Sequence, residues 1–225
     1  MHHERRRFLG WLGGASLLGV AGVPALPKVA RAERRGEHPR PVDGKWDVSW
    51  VDRVTGEHRA VFDSPEASEG AALFRAVAWC DHYKEVYGVE RKNMSPVVVM
   101  RHRAIDLVFD DEYWHRFKIG KELKIKNEKG KWTEVNPISA RSVGSDEKET
   151  KYKLEPFMAS GGIVLACAWA FGEVVSRFKE KEKLEQSVAS AQAREHLIPG
   201  VLLQPNGIFA ALRAQEAGCQ YILAS

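Results

Sequence analysis

The sequence is poor in cysteine and lacks the common nucleotide- and metal-binding signatures. It holds three cysteines in 225 residues, so one of them is left unpaired within a chain. No G-x-G-x-x-G or phosphate loop follows the first predicted strand and no G-x-S-x-G occurs, so neither nucleotide binding nor serine hydrolysis is indicated. The histidines are scattered, and no spacing among them matches a zinc signature. We therefore predict no metal and no cofactor.

An excess of one charge is also missing from most of the chain. The sequence has 34 Lys+Arg and 30 Asp+Glu, a net charge of +4. Residues 1–32 hold five of these bases and one of these acids. The rest of the chain therefore has 34 − 5 = 29 bases and 30 − 1 = 29 acids, which gives it no net charge. A neutral body gives no reason to expect nucleic acid or an anionic surface as a partner. The 44% hydrophobic and 28% charged content is that of a globular protein and excludes a disordered or multi-span membrane protein.

The first 32 residues have the three-part layout of an export signal. Arginines head an apolar stretch that runs over residues 8–26, and Ala30-Arg31-Ala32 is a small-x-small cleavage site. The head, RRRFL at residues 5–9, is similar to the twin-arginine consensus of two arginines, any residue and Phe-Leu. We expect export to the periplasm or another extracytoplasmic compartment. A membrane tether through an uncleaved signal is the alternative, and Pro24 and Pro27 argue against it.

Strand and helix patterns alternate after a polar, proline-bearing linker at residues 33–45. Short apolar runs predict five strands, which lie near residues 58–63, 95–102, 162–167, 200–204 and 219–224. Helix patterns with short links separate them, most clearly over 69–87 and 169–195. This repetition predicts one α/β domain over 46–225. Its core is an open, mainly parallel five-stranded sheet with helices on both faces, of the flavodoxin- or Rossmann-like class.

Residues 119–160 interrupt that alternation. The pattern around Asn127-Glu128-Lys129-Gly130 predicts an exposed β-hairpin, and a polar stretch over 139–153 predicts a solvated loop. We expect this insertion to project from the body and to be dispensable for folding. A surface insertion without function is the favoured interpretation, and a role in partner choice is the alternative.

Three segments resemble DsrE/DsrF-like proteins, a family of small α/β domains that assemble as trimers or hexamers and include sulfur-relay proteins. They are VVVMRH (97–102) with the helix after it, IVLACAWA (163–170) as strand, cysteine and helix, and LIPGVLLQPNGIFAALRAQEAGCQYI (197–222). Together they cover about 60–225 without the insertion. The resemblance implies a homotrimer or homohexamer, and as further partners a sulfur donor or acceptor protein or a small sulfur anion.

The family also implies a site at one cysteine. In the relay members, a cysteine at the end of a central strand carries sulfur as a persulfide, and Cys167 corresponds to it. The implied activity is that of a sulfurtransferase or sulfur carrier. We assign Cys167 as the sulfur-accepting nucleophile, His102 as its acid/base or thiolate partner, Arg101 or Arg103 as the anion contact, and Asn206 as a residue of the rim.

The residues themselves leave two interpretations of Cys167 open. At the carboxyl end of a parallel strand, it would meet a ligand crevice and the N-terminus of the next helix, which stabilises a thiolate. Free cysteine is also among the most buried residue types, and Cys167 would then be core. A solvent-reachable Cys167 beside a cation favours sulfur chemistry. A buried one favours a non-catalytic binding or assembly module, and a small-molecule binder that uses the same cleft is a third possibility.

The other two cysteines are predicted to be structural. Cys80 falls on the apolar face of a helix, where packing is the favoured role. Cys219 opens the last strand, so a parallel sheet puts it at the edge opposite Cys167. That separation argues against a disulfide between them, because a disulfide needs Cα atoms within about 7 Å.

Overall fold

Five parallel strands form one sheet in the computed structural model, which describes residues 44–140 and 150–225. In sheet order β4-β3-β2-β1-β5, every neighbouring pair is parallel. The strands are β1 (His58–Ser64), β2 (Met94–Met100), β3 (Ile163–Cys167), β4 (Leu202–Gln204) and β5 (Gln220–Leu223). The predicted α/β class and five-stranded parallel sheet are therefore confirmed. The predicted signal at 1–32 and nearly all of the predicted linker lie outside the described residues.

Helices connect these strands. In chain order they are α1 (Ala71–Tyr87), α2 (Asp111–Phe117), α3 (Ile119–Glu122), α4 (Leu154–Ala159), α5 (Ala168–Glu182), α6 (Gln186–Glu195) and α7 (Gly207–Glu216). Short 3-10 turns add to them, the longest at His102–Val108. Among the described residues, no helix combines the length and the apolar character needed to cross a bilayer.

Two hydrophobic cores lie on the two faces of the sheet. Alternate residues of a strand point to opposite faces, so Val98 contributes to one core and Val97 to the other. The core of Val98 includes side chains of α1, α5 and α6, and the core of Val97 includes side chains of α7 and the 3-10 turn at Ser49–Arg53. The β2 and β3 strands are buried along their whole length, because both of their faces are covered.

This division of helices marks the position at the carboxyl edge of the sheet where a ligand crevice is expected. The β3 strand leads directly into α5 on one face, while β4 leads through a short turn into α7 on the other. In open α/β sheets, ligands bind where two adjacent strands send their connections to opposite faces. Here that position lies between the ends of β3 and β4.

A buried polar network fixes α5 against α2. Arg177 of α5 donates to the Asp106 carboxylate at 2.5 Å and to Glu122 at 2.6 Å. The buried Tyr113 hydroxyl donates to the same Asp106 oxygen at 2.6 Å. Because Asp106 is buried, these donors supply the hydrogen bonds that water gives to an exposed carboxylate. The network thus fixes the position of α5, the helix that follows Cys167.

The start of α1 differs from the sequence prediction. We expected a helix from residue 69, but Ser68–Gly70 forms a 3-10 turn, and Glu69 in that turn has a φ of +53°. The helix begins at Ala71 after Gly70, which has a φ of +85°. A side chain at Gly70 would overlap Cγ2 of Ile138. Tertiary packing on a glycine, and not a side-chain cap, therefore sets this helix start.

Residues 119–160 do not form a purely projecting insertion, and that expectation was wrong. The predicted hairpin turn is present, with Lys126 and Trp132 joined by an antiparallel bridge. Beyond it the chain returns to the core. The buried Asn136 amide donates to the carbonyls of Leu107 and Phe109, both at 2.7 Å, and Leu154 is fully buried. The predicted solvated loop falls largely at 141–149, outside the described residues.

Candidate functional site

The carboxyl ends of the strands bring Cys167, Gln204 and Arg101 to one edge of the sheet. Cys167 of β3 pairs with Gln204 of β4, and Ala166 pairs with Met100 of β2. Arg101 directly follows Met100, and Cys167 directly follows Ala166. Arg101 and Cys167 therefore lie side by side at the ends of the neighbouring strands β2 and β3. This is the edge at which α5 and α7 begin, and it is the candidate binding site.

Arg101 is held by a buried carboxylate. Its Nε and Nη2 donate to the two oxygens of Asp63, each at 2.8 Å, and the Tyr221 hydroxyl donates to Asp63 at 2.6 Å. Asp63 is 2% exposed, while the Arg101 side chain is 29% exposed. The hydrogen bond that Arg101 donates to Asp63 raises the pKa of Arg101, and the one that Tyr221 donates to Asp63 raises the pKa of Tyr221. The guanidinium is thus charged and fixed in orientation.

Part of the Arg101 guanidinium remains available to a ligand. The hydrogen bonds to Asp63 use Nε and Nη2, and 29% of the Arg101 side chain stays exposed. The side-chain stem packs on the first turn of α7. A Cβ at Gly207 would lie 2.6 Å from Cβ of Arg101 and closer still to its Cδ. Glycine at this position therefore permits the close approach of Arg101 to the N-terminus of α7.

Asn206 has a structural role at the rim of the site. Its side-chain oxygen accepts the Phe209 N–H at 2.8 Å and so caps α7. The cap leaves the N–H groups of Gly207 and Ile208, the first two of the helix, without partners inside the helix. Asn206 thus follows β4 at the strand-end edge, and its side-chain oxygen is used to form the helix start.

Cys167 is buried at the start of α5. It occupies the N-cap position of this 15-residue helix and is 6% exposed, within a core that includes Ala166 and Phe171. The neighbouring Trp169 is 70% exposed, so it does not cover the thiol as a core residue would. Of the two interpretations that the sequence left open, a buried Cys167 favours the binding or assembly module.

His102 and Arg103 face a different partner. The Nδ1 of His102 lies 3.4 Å from the Glu66 carboxylate, and Nε of Arg103 lies 3.7 Å from it. Both side chains are exposed, and neither forms a hydrogen bond with Cys167 within the described part of the chain. The structure thus brings Arg101 to the strand-end edge with Cys167, while His102 and Arg103 form a separate exposed group around Glu66.

Sequence reasoning missed two residues of this edge. Tyr221 reaches Asp63 from the edge strand β5, and Trp50 donates through Nε1 to the Gln204 amide oxygen at 3.1 Å. Gln204 in turn donates to the Asp47 carbonyl at 2.8 Å. Strand register alone could have pointed to Tyr221, which lies in β5 beside β1. No sequence signal connects Trp50 with Gln204, which is 154 positions away.

The other two cysteines are buried, as predicted. Burial raises the pKa of the Cys80 thiol to about 11 and that of Cys219 to about 12. Both thiols therefore stay protonated and unreactive at neutral pH. All three cysteines are free. In the residues that the structure describes, no group of three or more His, Cys, Asp and Glu side chains is placed to hold a metal ion.

No family model and no curated protein matches this chain. The resemblance to DsrE/DsrF-like proteins stays a prediction that rests on the three segments described above. The candidate site must therefore be interpreted from its own geometry.

Proposed function

We propose that this protein is a non-catalytic binding module that holds a small anion in the crevice at the carboxyl edge of its sheet. The observation that carries the proposal is the contact between Arg101 and the first turn of α7, at the edge of the sheet where α5 also begins. The α5 and α7 helices start at the adjacent ends of β3 and β4, and Arg101 lies against the first turn of α7. Helix N-termini carry a partial positive charge and unpaired N–H groups, which bind anions.

Arg101 contributes a hydrogen-bond donor of fixed orientation, and its net charge contributes less to ligand binding. Because Asp63 pairs with its guanidinium, most of the arginine charge is neutralised locally, and the remaining positive potential comes from the helix ends. The orientation of Nη1 is set before a ligand arrives, which lowers the entropy cost of binding. The site therefore suits a small, singly or doubly charged oxyanion. The family resemblance suggests a sulfur anion such as thiosulfate.

Calorimetric titration with thiosulfate and with sulfate tests this proposal. We expect both anions to bind, and Arg101→Met to weaken binding at least tenfold, which corresponds to about 1.4 kcal/mol. Arg101→Lys should also weaken it, because lysine lacks the planar fork. Arg103→Met is the matched control, since it removes a nearby exposed arginine outside the site. Equal losses in Arg101→Met and Arg103→Met, or no binding by the unaltered protein, would contradict the proposal.

Sulfur transfer through Cys167 is a second candidate function. It is favoured by the position of Cys167 at the N-cap of α5, next to the first N–H groups of that helix. The thiolate would attack a terminal sulfur of a polysulfide, one S–S bond would break, and the shortened polysulfide would leave a cysteine persulfide behind. Because the thiol is buried, this step requires the crevice to open.

Intact-mass measurement after exposure to polysulfide distinguishes the two functions. A carrier would gain one sulfur atom that is absent in Cys167→Ser and retained in Cys80→Ser. An unmodified protein that still binds thiosulfate would exclude the sulfur carrier and support the binding module. The binding proposal and the transfer proposal can thus be rejected independently of each other.

Self-association and export complete the proposed biology. Four exposed apolar side chains lie on α7 and the edge strand β5, namely Ile208, Leu212, Tyr221 and Leu223. In a homo-oligomer that buried this surface, Tyr221 would bring the subunit boundary to Asp63 and the binding site.

The proposed export rests on residues 1–32, and replacing Arg5 and Arg6 with lysine should leave the precursor in the cytoplasm. Undiminished export of that variant would exclude the twin-arginine route.

A further inference from the structure

The segment over residues 118–134, called here the basic hairpin, concentrates positive charge that the neutral body as a whole does not show. It holds six lysines, and all of them are exposed: Lys118, Lys121, Lys124, Lys126, Lys129 and Lys131. None of the six forms an ion pair within the described residues. The segment also holds three glutamates, Glu122, Glu128 and Glu134.

The glutamates of the basic hairpin are largely engaged elsewhere. Glu122 accepts a hydrogen bond from Arg177 at 2.6 Å, and the Glu134 carboxylate lies 3.3 Å from Nδ1 of His115. Glu128 remains at the turn. The six lysines therefore face solvent with little local compensation, and an anionic partner would gain favourable Coulomb energy there.

The hairpin is held in a fixed conformation by its base. Ile125 and Thr133 are buried, and the Thr133 N–H donates to the Ile125 carbonyl at 3.0 Å. At the turn, the Asn127 side chain accepts the N–H groups of Lys129 and Lys131, both at 3.1 Å. The lysines beyond this base are thus presented from an ordered turn, so binding does not require a disordered loop to fold.

An exposed tryptophan lies among these lysines. Trp132 is 41% exposed and is the bridge partner of Lys126, whose Nζ lies 5.0 Å from the indole ring centroid. Cross-strand partners project from the same face of a hairpin. Tryptophan favours the interface between water and lipid, because its ring is apolar and its N–H is polar. Lysines beside it attract anionic headgroups.

We propose that the basic hairpin docks this protein on an anionic lipid surface, with the lysines on the headgroups and Trp132 at the interface. A membrane fits these observations better than nucleic acid. One face of the Trp132 ring is taken by Lys126, which restricts base stacking. Residues 33–225 outside the hairpin carry no excess of bases over acids, whereas a polynucleotide backbone requires a long basic track. This inference is independent of the anion-binding crevice.

Vesicle sedimentation of the full chain tests the proposal. The vesicles consist of phosphatidylcholine alone or of equal parts of phosphatidylcholine and phosphatidylglycerol. We expect the triple substitution of Lys126, Lys129 and Lys131 to glutamine to weaken binding to the anionic vesicles at least tenfold. The control replaces the exposed Lys84, Lys92 and Lys179 with glutamine, which removes the same charge and should change binding less than twofold. The basic N-terminal residues are the same in all variants.

A second measurement follows Trp132 directly. Lipids brominated in the upper acyl chain should quench part of the tryptophan fluorescence, and Trp132→Phe should remove that part. Equal binding to both vesicle types, equal losses in the two triple variants, or quenching unchanged by Trp132→Phe would overturn the proposal. So would duplex DNA that competes with the anionic vesicles at the same protein concentration and requires the same three lysines. Circular dichroism of each variant checks that the fold is retained.

Discussion

At the scale of single residues, Asp63 is the group that orients Arg101 of the candidate site. It is almost fully buried, and it accepts hydrogen bonds from two groups, the Arg101 guanidinium and the Tyr221 hydroxyl. A buried carboxylate is tolerated only when its charge is compensated in this way. Asp63 therefore contributes to the fold by pairing and to the site by orienting Arg101.

We expect Asp63→Ala to lower the free energy of unfolding by about 2–3 kcal/mol. The substitution leaves Arg101 without its partner, and the loss is below that of a fully buried pair because Arg101 is partly exposed. Tyr221→Phe removes one hydrogen bond and should cost about 1 kcal/mol. Asp81→Ala breaks the exposed pair with Lys151 and should cost less than about 1 kcal/mol. Urea unfolding measures all three, and an Asp63→Ala loss no larger than that of Asp81→Ala would refute the assignment.

At the scale of elements, the start of α7 determines the geometry of the crevice. The helix is capped by Asn206 and begins at a glycine on which the Arg101 stem rests. By contrast, Gly172 lies in the interior of α5 with no neighbouring atom within 4 Å of a built Cβ. The two glycines thus offer the same substitution in opposite environments.

We expect Gly207→Ala to weaken thiosulfate binding about tenfold and to cost about 1–3 kcal/mol of stability, because the added methyl displaces Arg101. Gly172→Ala should leave binding unchanged and raise stability by about 0.5–1 kcal/mol, because alanine is the better helix former. Calorimetric titration and thermal unfolding of the two variants provide the comparison. If Gly207→Ala binds as the unaltered protein does, Arg101 does not depend on α7 for its position.

At the scale of the whole molecule, β5 leaves one edge of the sheet open within the described residues. Strand edges and exposed apolar side chains favour association between chains. Leu223 of β5 and Leu212 of α7 are both exposed, although soluble proteins usually bury leucine. The near-neutral body adds no charge repulsion against self-association.

We expect the protein to be a homo-oligomer at micromolar concentration, and Leu212→Lys with Leu223→Lys to shift it to a monomer. Val86→Lys is the control, because Val86 is equally exposed but lies on α1. Light scattering measures the mass of each form. A monomeric unaltered protein would remove the assembly proposal, and dissociation by Val86→Lys would place the interface elsewhere.

Much of the fold could be predicted from the sequence, because strand and helix patterns are local. The β-branched run of β2 and the glycine after α7 each act on their own neighbours, so five strands in a parallel sheet followed from periodicity and short links. The position of Cys167 at a strand end followed in the same way. The prediction that the insertion projects from the body was wrong because a polar residue such as Asn136 is normally expected on the surface. Its amide instead donates to two carbonyls of the core, where it takes the place of water.

The sequence by itself determined the class of fold, the order of its elements along the chain and the sheet edge at which Cys167 lies. Only the tertiary structure decided the contacts at that edge. It paired Arg101 with Asp63 and Tyr221, and it buried the Cys167 thiol. The physical reason is that periodicity reports which face of an element is apolar. Which charged groups meet depends on strand order and on the side of the sheet that each helix takes, and both arise from contacts between residues far apart in the chain.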